Sequence, residues 1–283
     1  MSNVVACIDG SRSTTAVCDY AAWASLRLDA SLMLFHVLDQ LRYPTEPDLA
    51  GSIGLGSREH LLEELAELDQ KRSRIALDQG RHMLEAAAAR VREDGVETIQ
   101  QRQRHGDLSD SLLDVEPEIR LLVMGLHGES SSDRDIHIGS QLETVIRTLH
   151  RPILLVPDEF APPRNAMLAF DGSDTVKRGV DLLSNSPIFR DFSLHLVMVG
   201  TESEANWSQL REAEQKLTAA GCEVHLAIRA GDVEKTLHSY QEEQGIDLLV
   251  MGAYGHSRIR QFLVGSTTTN MLKTSGSPLI ILR

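Results

Sequence analysis

The residue types best suited to chemistry lie between positions 247 and 267. Asp247-Leu248-Leu249-Val250-Met251-Gly252-Ala253-Tyr254-Gly255 is followed by nine residues and then by Gly265-Ser266-Thr267. Four apolar residues ending in a glycine read as a short buried strand. That strand would put Gly252 at its carboxyl end, where open α/β sheets bind ligands. Glycines let main-chain N–H groups approach an anion closely. Ser266 and Thr267 at a helix start add hydroxyl donors and the positive end of the helix dipole. The chemistry these residues support is a phosphate cradle. The spacing Gly-x2-Gly-x9-Gly-Ser is neither the P-loop pattern, which closes on Gly-Lys-Ser/Thr, nor GxGxxG. A bare Gly-x2-Gly is an ordinary turn feature, and its place between a strand and a helix is what gives it weight.

The elements that must hold such a cradle occur twice. Val5-Ala6-Cys7-Ile8-Asp9-Gly10-Ser11 parallels Leu168-Ala169-Phe170-Asp171-Gly172-Ser173 in its Asp-Gly-Ser ending. The offset of 162 between Asp9 and Asp171 also carries Leu32–Val37 onto Leu194–Val199. Arg104-His105-Gly106-Asp107 parallels Arg229-Ala230-Gly231-Asp232, and Leu121–Gly125 parallels Leu248–Gly252. Pro152–Val156 parallels Pro278–Leu282. Five matches in order mark a tandem duplication.

Each copy reads as βαβαβαβαβ with strands apolar on both faces, as parallel strands covered by helices require. The expected fold is α/β: two doubly wound, five-stranded, parallel-sheet domains of Rossmann-like type, over residues 1–157 and 164–283. The stretch Pro157–Arg164, with two adjacent prolines, links them. The first helix is expected to begin at Ser11 to Ser13 with a hydroxyl cap, and Gly95 and Gly221 to close their helices. A helical stripe over residues 76–94 supplies core through Leu77, Met83, Leu84, Ala87, Ala88 and Val91. Asp9 to Gly125 spans 116 residues and Asp171 to Gly252 spans 81, with the surplus mostly between 40 and 75. That insertion is either a longer surface helix or a flap or partner-docking arm.

Composition bounds the partners. The 283 residues carry a net charge of −13 and are only 4% aromatic, which argues against a nucleic-acid surface or a base-stacking platform. No apolar run approaches a membrane span and no leader is evident, so a cytoplasmic protein is expected. Cys7, Cys18 and Cys222 have no zinc-ligand spacing and read as free thiols.

The Gly252–Thr267 segment closely resembles the nucleotide-binding motif of the universal stress protein family, and the resemblance extends over nearly the whole chain in two copies. It implies an adenine nucleotide alpha hydrolase-like fold and binding of ATP with Mg, in a regulatory module of stress survival. Carried over, Gly252, Gly255, Gly265, Ser266 and Thr267 hold phosphate, with Arg258 in the loop between them. Asp171 contacts the nucleoside, and Val199 presents its backbone to the adenine edge. Ala169 belongs to the same pocket. Asp171 could instead cap the next helix, a task Ser173 could also perform, and Val199 could be simple core. The final strands resemble those that pair across family dimers. Here the two halves are expected to dock by that edge into a pseudo-twofold unit, and a homodimer of the whole chain is plausible.

The first copy supplies a weaker second site: Asp9, Val37, Gly125, Gly128, Gly139 and Ser140. Ten residues, not nine, separate Gly128 from Gly139-Ser140, and they sum to −2 (Glu129, Asp133 and Asp135 against Arg134). The second-copy loop sums to +2 through Arg258 and Arg260, a difference of four charges. Each unit pair about 8 Å apart contributes roughly 0.5 kcal/mol in water and about 2 kcal/mol at a partly buried site. ATP is therefore expected mainly in the second half. No nucleophile–base set or metal motif is readable. His36 and His195 fall in strands and read as core, while His127 and His137 flank the first-copy loop. Two alternatives stay open: a nucleotide-independent scaffold serving an unknown protein partner, and a slow ATPase or adenylyl-transferring relative.

Overall fold

Ten strands four to eight residues long, largely apolar except at the two edges, alternate with helices among the residues described by the computed structural model: 2–39, 56–126, 140–252 and 276–282. The first half runs β1 (Asn3–Cys7), α1 (Thr14–Leu28), β2 (Leu32–Asp39), α2 (Gly56–Glu93), β3 (Ile99–Gly106), α3 (Leu108–Val115), β4 (Ile119–Gly125), α4 (Ser140–Thr148) and β5 (Ile153–Val156). The second runs β6 (Asn165–Ala169), α5 (Asp174–Asn185), β7 (Ser193–Val199), α6 (Glu204–Ala219), β8 (Glu223–Arg229), α7 (Val233–Gln244), β9 (Leu248–Gly252) and β10 (Leu279–Leu282).

Each half has the doubly wound order 3-2-1-4-5, so its topological switch lies between β1 and β4, or between β6 and β9. All pairs within a half are parallel, whereas β5 pairs β10 antiparallel, through Ile153↔Ile281, Leu154↔Ile280 and Leu155↔Leu279. The expected five-stranded sheets are thereby fused edge to edge into one sheet of ten strands. The strands of the two halves run in opposite directions, so their ligand-facing carboxyl ends do as well.

Side-chain alternation sorts the core. Val4 and Ala6 join Leu84, Val180 and Leu217 on the face covered by α1, α2, α5 and α6. Val5 joins Leu112, Val145 and Leu237 under α3, α4 and α7. The duplication is visible in register: Val4 pairs Leu32 and Cys7 pairs Phe35, as Ala166 pairs Leu194 and Ala169 pairs Val197. The same left-handed glycines recur, Gly10 at φ +75° and Gly172 at +72°, Gly106 at +140° and Gly231 at +143°. Gly95 and Gly221 close α2 and α6 in that conformation, as expected. The edge strands are protected by polarity, β3 reading Ile-Gln-Gln-Arg-Gln-Arg-His-Gly.

Three expectations change in detail. Helix α1 begins at Thr14 behind Ser13, but the Ser13 side chain does not cap it, since its hydroxyl donates to Asp158 instead. The described part of the insertion, 56–75, and the 76–94 stripe form one helix of 38 residues, α2, whose earlier part runs ahead of the packed part. Leu77, expected in the core, is exposed on it. His36 is buried with Nδ1 on the Ile8 carbonyl at 2.6 Å, yet its Nε2 finds no partner among the described residues. All three cysteines are free, and burial raises the Cys18 thiol to about 12, which keeps it unreactive.

Candidate functional site

Three strand ends frame the candidate site in the second half: β6, β7 and β9. Beyond β6 the chain makes an Asx turn, in which the Ser173 N–H donates to Asp171 Oδ1 at 2.9 Å. Helix α5 then starts under its own cap, the Val176 N–H donating to Ser173 Oγ at 3.3 Å. Capping therefore falls to Ser173, and Asp171 stands half-buried at the carboxyl end of the sheet. Val199 ends β7 half-buried, paired with Arg229. Ala169 is buried opposite Val197, its side chain in the core beneath the strand ends.

Gly252 ends β9 where the first turn of α5 crosses it. A Cβ there would lie 3.3 Å from the methyl carbons of both Thr175 and Val176, tighter than ordinary packing. The position thus brings the amino end of α5 against the strand end at the switch point. Gly172 lets the chain turn and lies beneath Gln209 of α6, whose side-chain amide occupies the space a Cβ would take. Gly255, Arg258, Gly265, Ser266 and Thr267 lie outside the described residues.

The first half repeats the frame with different fittings. Asp9 Oδ1 accepts from the Ser11 N–H at 3.0 Å and from the Thr14 hydroxyl at 3.2 Å. Val37 and Gly125 are half-buried at their strand ends. Met83 of α2 lies against Gly10 where Gln209 lies against Gly172, an apolar cover in place of a polar one. Gly128 and Gly139 fall outside the described residues, and Ser140 is described by its helical backbone alone.

One charged group at the first frame escapes sequence reasoning. Asp158, just past β5 in the linker, accepts from the Ser13 hydroxyl at 2.5 Å and pairs with Arg12 Nε at 2.7 Å. A carboxylate thus sits at the amino end of α1, where the helix dipole favours an anion. The sequence signal available was only a pair of acids, Asp158-Glu159, after a proline; the Ser13 partner lies 145 positions away.

The chain matches the model of the universal stress protein family over residues 1–157 and 177–283. It is 31% identical over 287 residues to the universal stress protein Slr1230 of Synechocystis sp., with the whole of both chains covered. The crystal structure of a universal stress protein from Archaeoglobus fulgidus superposes with a TM-score of 0.68 at 18% identity, covering 99% of this chain and 95% of that one. A putative universal stress protein from Pseudomonas aeruginosa gives a TM-score of 0.59 at 15% identity, covering 100% and 93%. At those identities the two structures bear on the fold alone.

Proposed function

The chain belongs to the universal stress protein family, and on that premise we propose that it is an ATP-binding regulatory module with its working nucleotide site in the second half. The observation that carries the reading is the frame at β6, β7 and β9: a half-buried carboxylate, Asp171, and a strand end, Gly252, packed against a helix start. Asp171 cannot hold phosphate, since like charges repel, but it can accept from a ribose hydroxyl or the adenine amino group. The Val199 backbone faces the base, and Ala169 contributes main chain only. The phosphates would rest on Gly255, Gly265, Ser266 and Thr267 beside Arg258, and Mg would neutralise part of their charge. The tight approach at Gly252 fits such a group, because it holds the amino end of α5, whose dipole favours an anion, close to the strand end.

Charge argues against equal sites. The first-half loop is four charges more negative than its counterpart, which disfavours a polyanion. The nucleotide then acts as a signal to a protein partner in the cytoplasm.

Equilibrium titration with Mg·ATP is expected to give one tight site per chain. Gly252→Val should remove it, while Gly125→Val leaves it intact. Two equal sites, or a tight site abolished only by Gly125→Val, would overturn the assignment. Mass spectrometry of small molecules released on denaturing the protein provides a second check, with an adenine nucleotide expected.

A further inference from the structure

The insertion in the first half extends α2 ahead of the part that packs on its own domain. From Glu64 to Ile75 the described side chains are exposed, with Asp69 and Ser73 intermediate, and continuous burial begins only at Ala76, Gly80, Leu84, Ala87, Ala88 and Val91. Large apolar residues stand on that earlier part: Leu65 is 48% exposed, Leu68 53% and Ile75 59%. Solvent-exposed helices ordinarily place polar residues there.

Their spacing is ordered. Leu61, Leu65, Leu68, Arg72 and Ile75 recur at alternating intervals of four and three, the a/d seam of a heptad. With a at 65 and d at 68, the g positions are Glu64, Lys71 and Asp78, and the e positions are Leu62, Asp69 and Ala76. The seam is narrower than the face α2 buries in its own domain, as expected of a helix that pairs with one other helix.

We propose that this exposed part of α2 pairs with the same segment of a second copy of the chain as an antiparallel two-helix coil, with Leu65 of each facing Leu68 of the other. The charges select that arrangement. In it Glu64 meets Lys71 of the second copy at both symmetry-related g positions. A shift by one heptad in one direction sets Lys71 against Lys71, Asp69 against Asp69 and Glu64 against Asp78. A shift in the other direction sets Glu64 against Glu64. A parallel pairing sets Glu64 against Asp69. Only one register joins an apolar seam to opposite charges, and a self-complementary patch of this kind is what a twofold interface requires. Arg72 lays its aliphatic stem on the seam and, as a polar residue at an a position, helps fix the register at some cost in affinity. The β5 and β10 edges are spent within the chain, so this surface is independent of the sheet seam.

Sedimentation equilibrium of the full chain tests the pairing. A reversible dimer is expected, with Leu68→Lys making the chain monomeric at all accessible concentrations. Lys71→Glu should raise the dimer dissociation constant at least about fivefold by putting two acids together twice, and the effect should fade at high salt. The double variant Glu64→Lys/Lys71→Glu restores both opposite-charge pairs of this register with their signs exchanged and should return the constant to within about twofold of the original. Disulfide trapping of paired cysteines placed at positions 65 and 68 should show its helices still running antiparallel. Circular dichroism and thermal melting, expected unchanged because the positions are exposed, separate a lost contact from a lost fold. A monomeric parent chain, a dimer indifferent to Leu68→Lys, or a double variant as weak as Lys71→Glu alone would overturn the proposal.

Discussion

At the scale of single residues, two carboxylates of the same ancestry do different work. Asp171 and Asp9 both hold a turn N–H two residues on, but Asp9 also accepts from Thr14, where the second copy has Val176. Asp171→Asn keeps an oxygen for the Ser173 N–H while losing its charge, so the melting temperature should barely move. The ATP dissociation constant should rise about tenfold if a charged hydrogen bond to the nucleoside is lost. Asp9→Asn should leave that constant unchanged, and calorimetric titration of both variants checks the pair.

His195 offers a separate residue-scale prediction. It is buried with Nδ1 2.9 Å from the Tyr240 hydroxyl, stacked on His225, with Glu223 beyond and Arg229 over the Tyr240 ring. Burial first, then the His225 charge, lowers its pKa. The unfolded chain therefore binds a proton that the native fold refuses. Stability is fully present above the unfolded value of about 6.5 and falls with pH through the window below it. Urea unfolding at pH 7 and pH 5 should show this loss, and His195→Gln should shrink it.

At the scale of elements, paired helices in the two copies start under the same rule with unequal strength. Asp107 caps α3 by accepting from the Ser109 N–H at 2.7 Å and the Asp110 N–H at 3.1 Å. Asp232 caps α7 through the Lys235 N–H alone, at 3.4 Å. Asp107→Ala should cost about 1–2 kcal/mol and Asp232→Ala nearer 0.5 kcal/mol, measured by chemical denaturation. Strand identity was legible because buried parallel strands are continuously apolar, and Leu121–Gly125 could scarcely be anything else. The ends of elements were less so. Ser13 carries the right residue type for a cap, yet Asp158 takes its hydroxyl.

At the scale of the molecule, the seam between halves is part of the core. Ile280 on β10 is 2% exposed opposite Leu154 of β5, and the linker is tied back onto α1. The Tyr20 hydroxyl donates to the Ala161 carbonyl at 3.2 Å, and the ring packs edge-on to Phe160. Arg27 donates to the carbonyls of Ile188 and Arg190, clamping α1 to the second half, with its guanidinium over the Phe192 ring. A cavity of about 200 Å³ lies beside this clamp, lined by Leu28, Leu121, Phe189 and Ile280, away from the strand ends that frame the candidate site. Because both halves share one sheet, unfolding should be a single transition. Tyr20→Phe should lower its midpoint through a loss of about 1 kcal/mol. Ile280→Lys, which buries a charge at the seam, should cost several kcal/mol and lower the same transition. Two separate calorimetric peaks in the parent chain would contradict the shared sheet.

The duplication, the alternation of strand and helix, and the Gly-x2-Gly-x9-Gly-Ser spacing were all written in the sequence, because each depends on neighbours or on a fixed spacing. Docking of the halves by their final strands was expected from the family resemblance; the tertiary structure decided the register of β5 on β10, Leu154 opposite Ile280, and with it one continuous sheet. It also decided that Met83 and Gln209 cover equivalent glycines, and that Asp158 reaches the amino end of α1. Those outcomes hang on contacts between residues tens to more than a hundred positions apart, and no local pattern records which distant side chain fills a given gap.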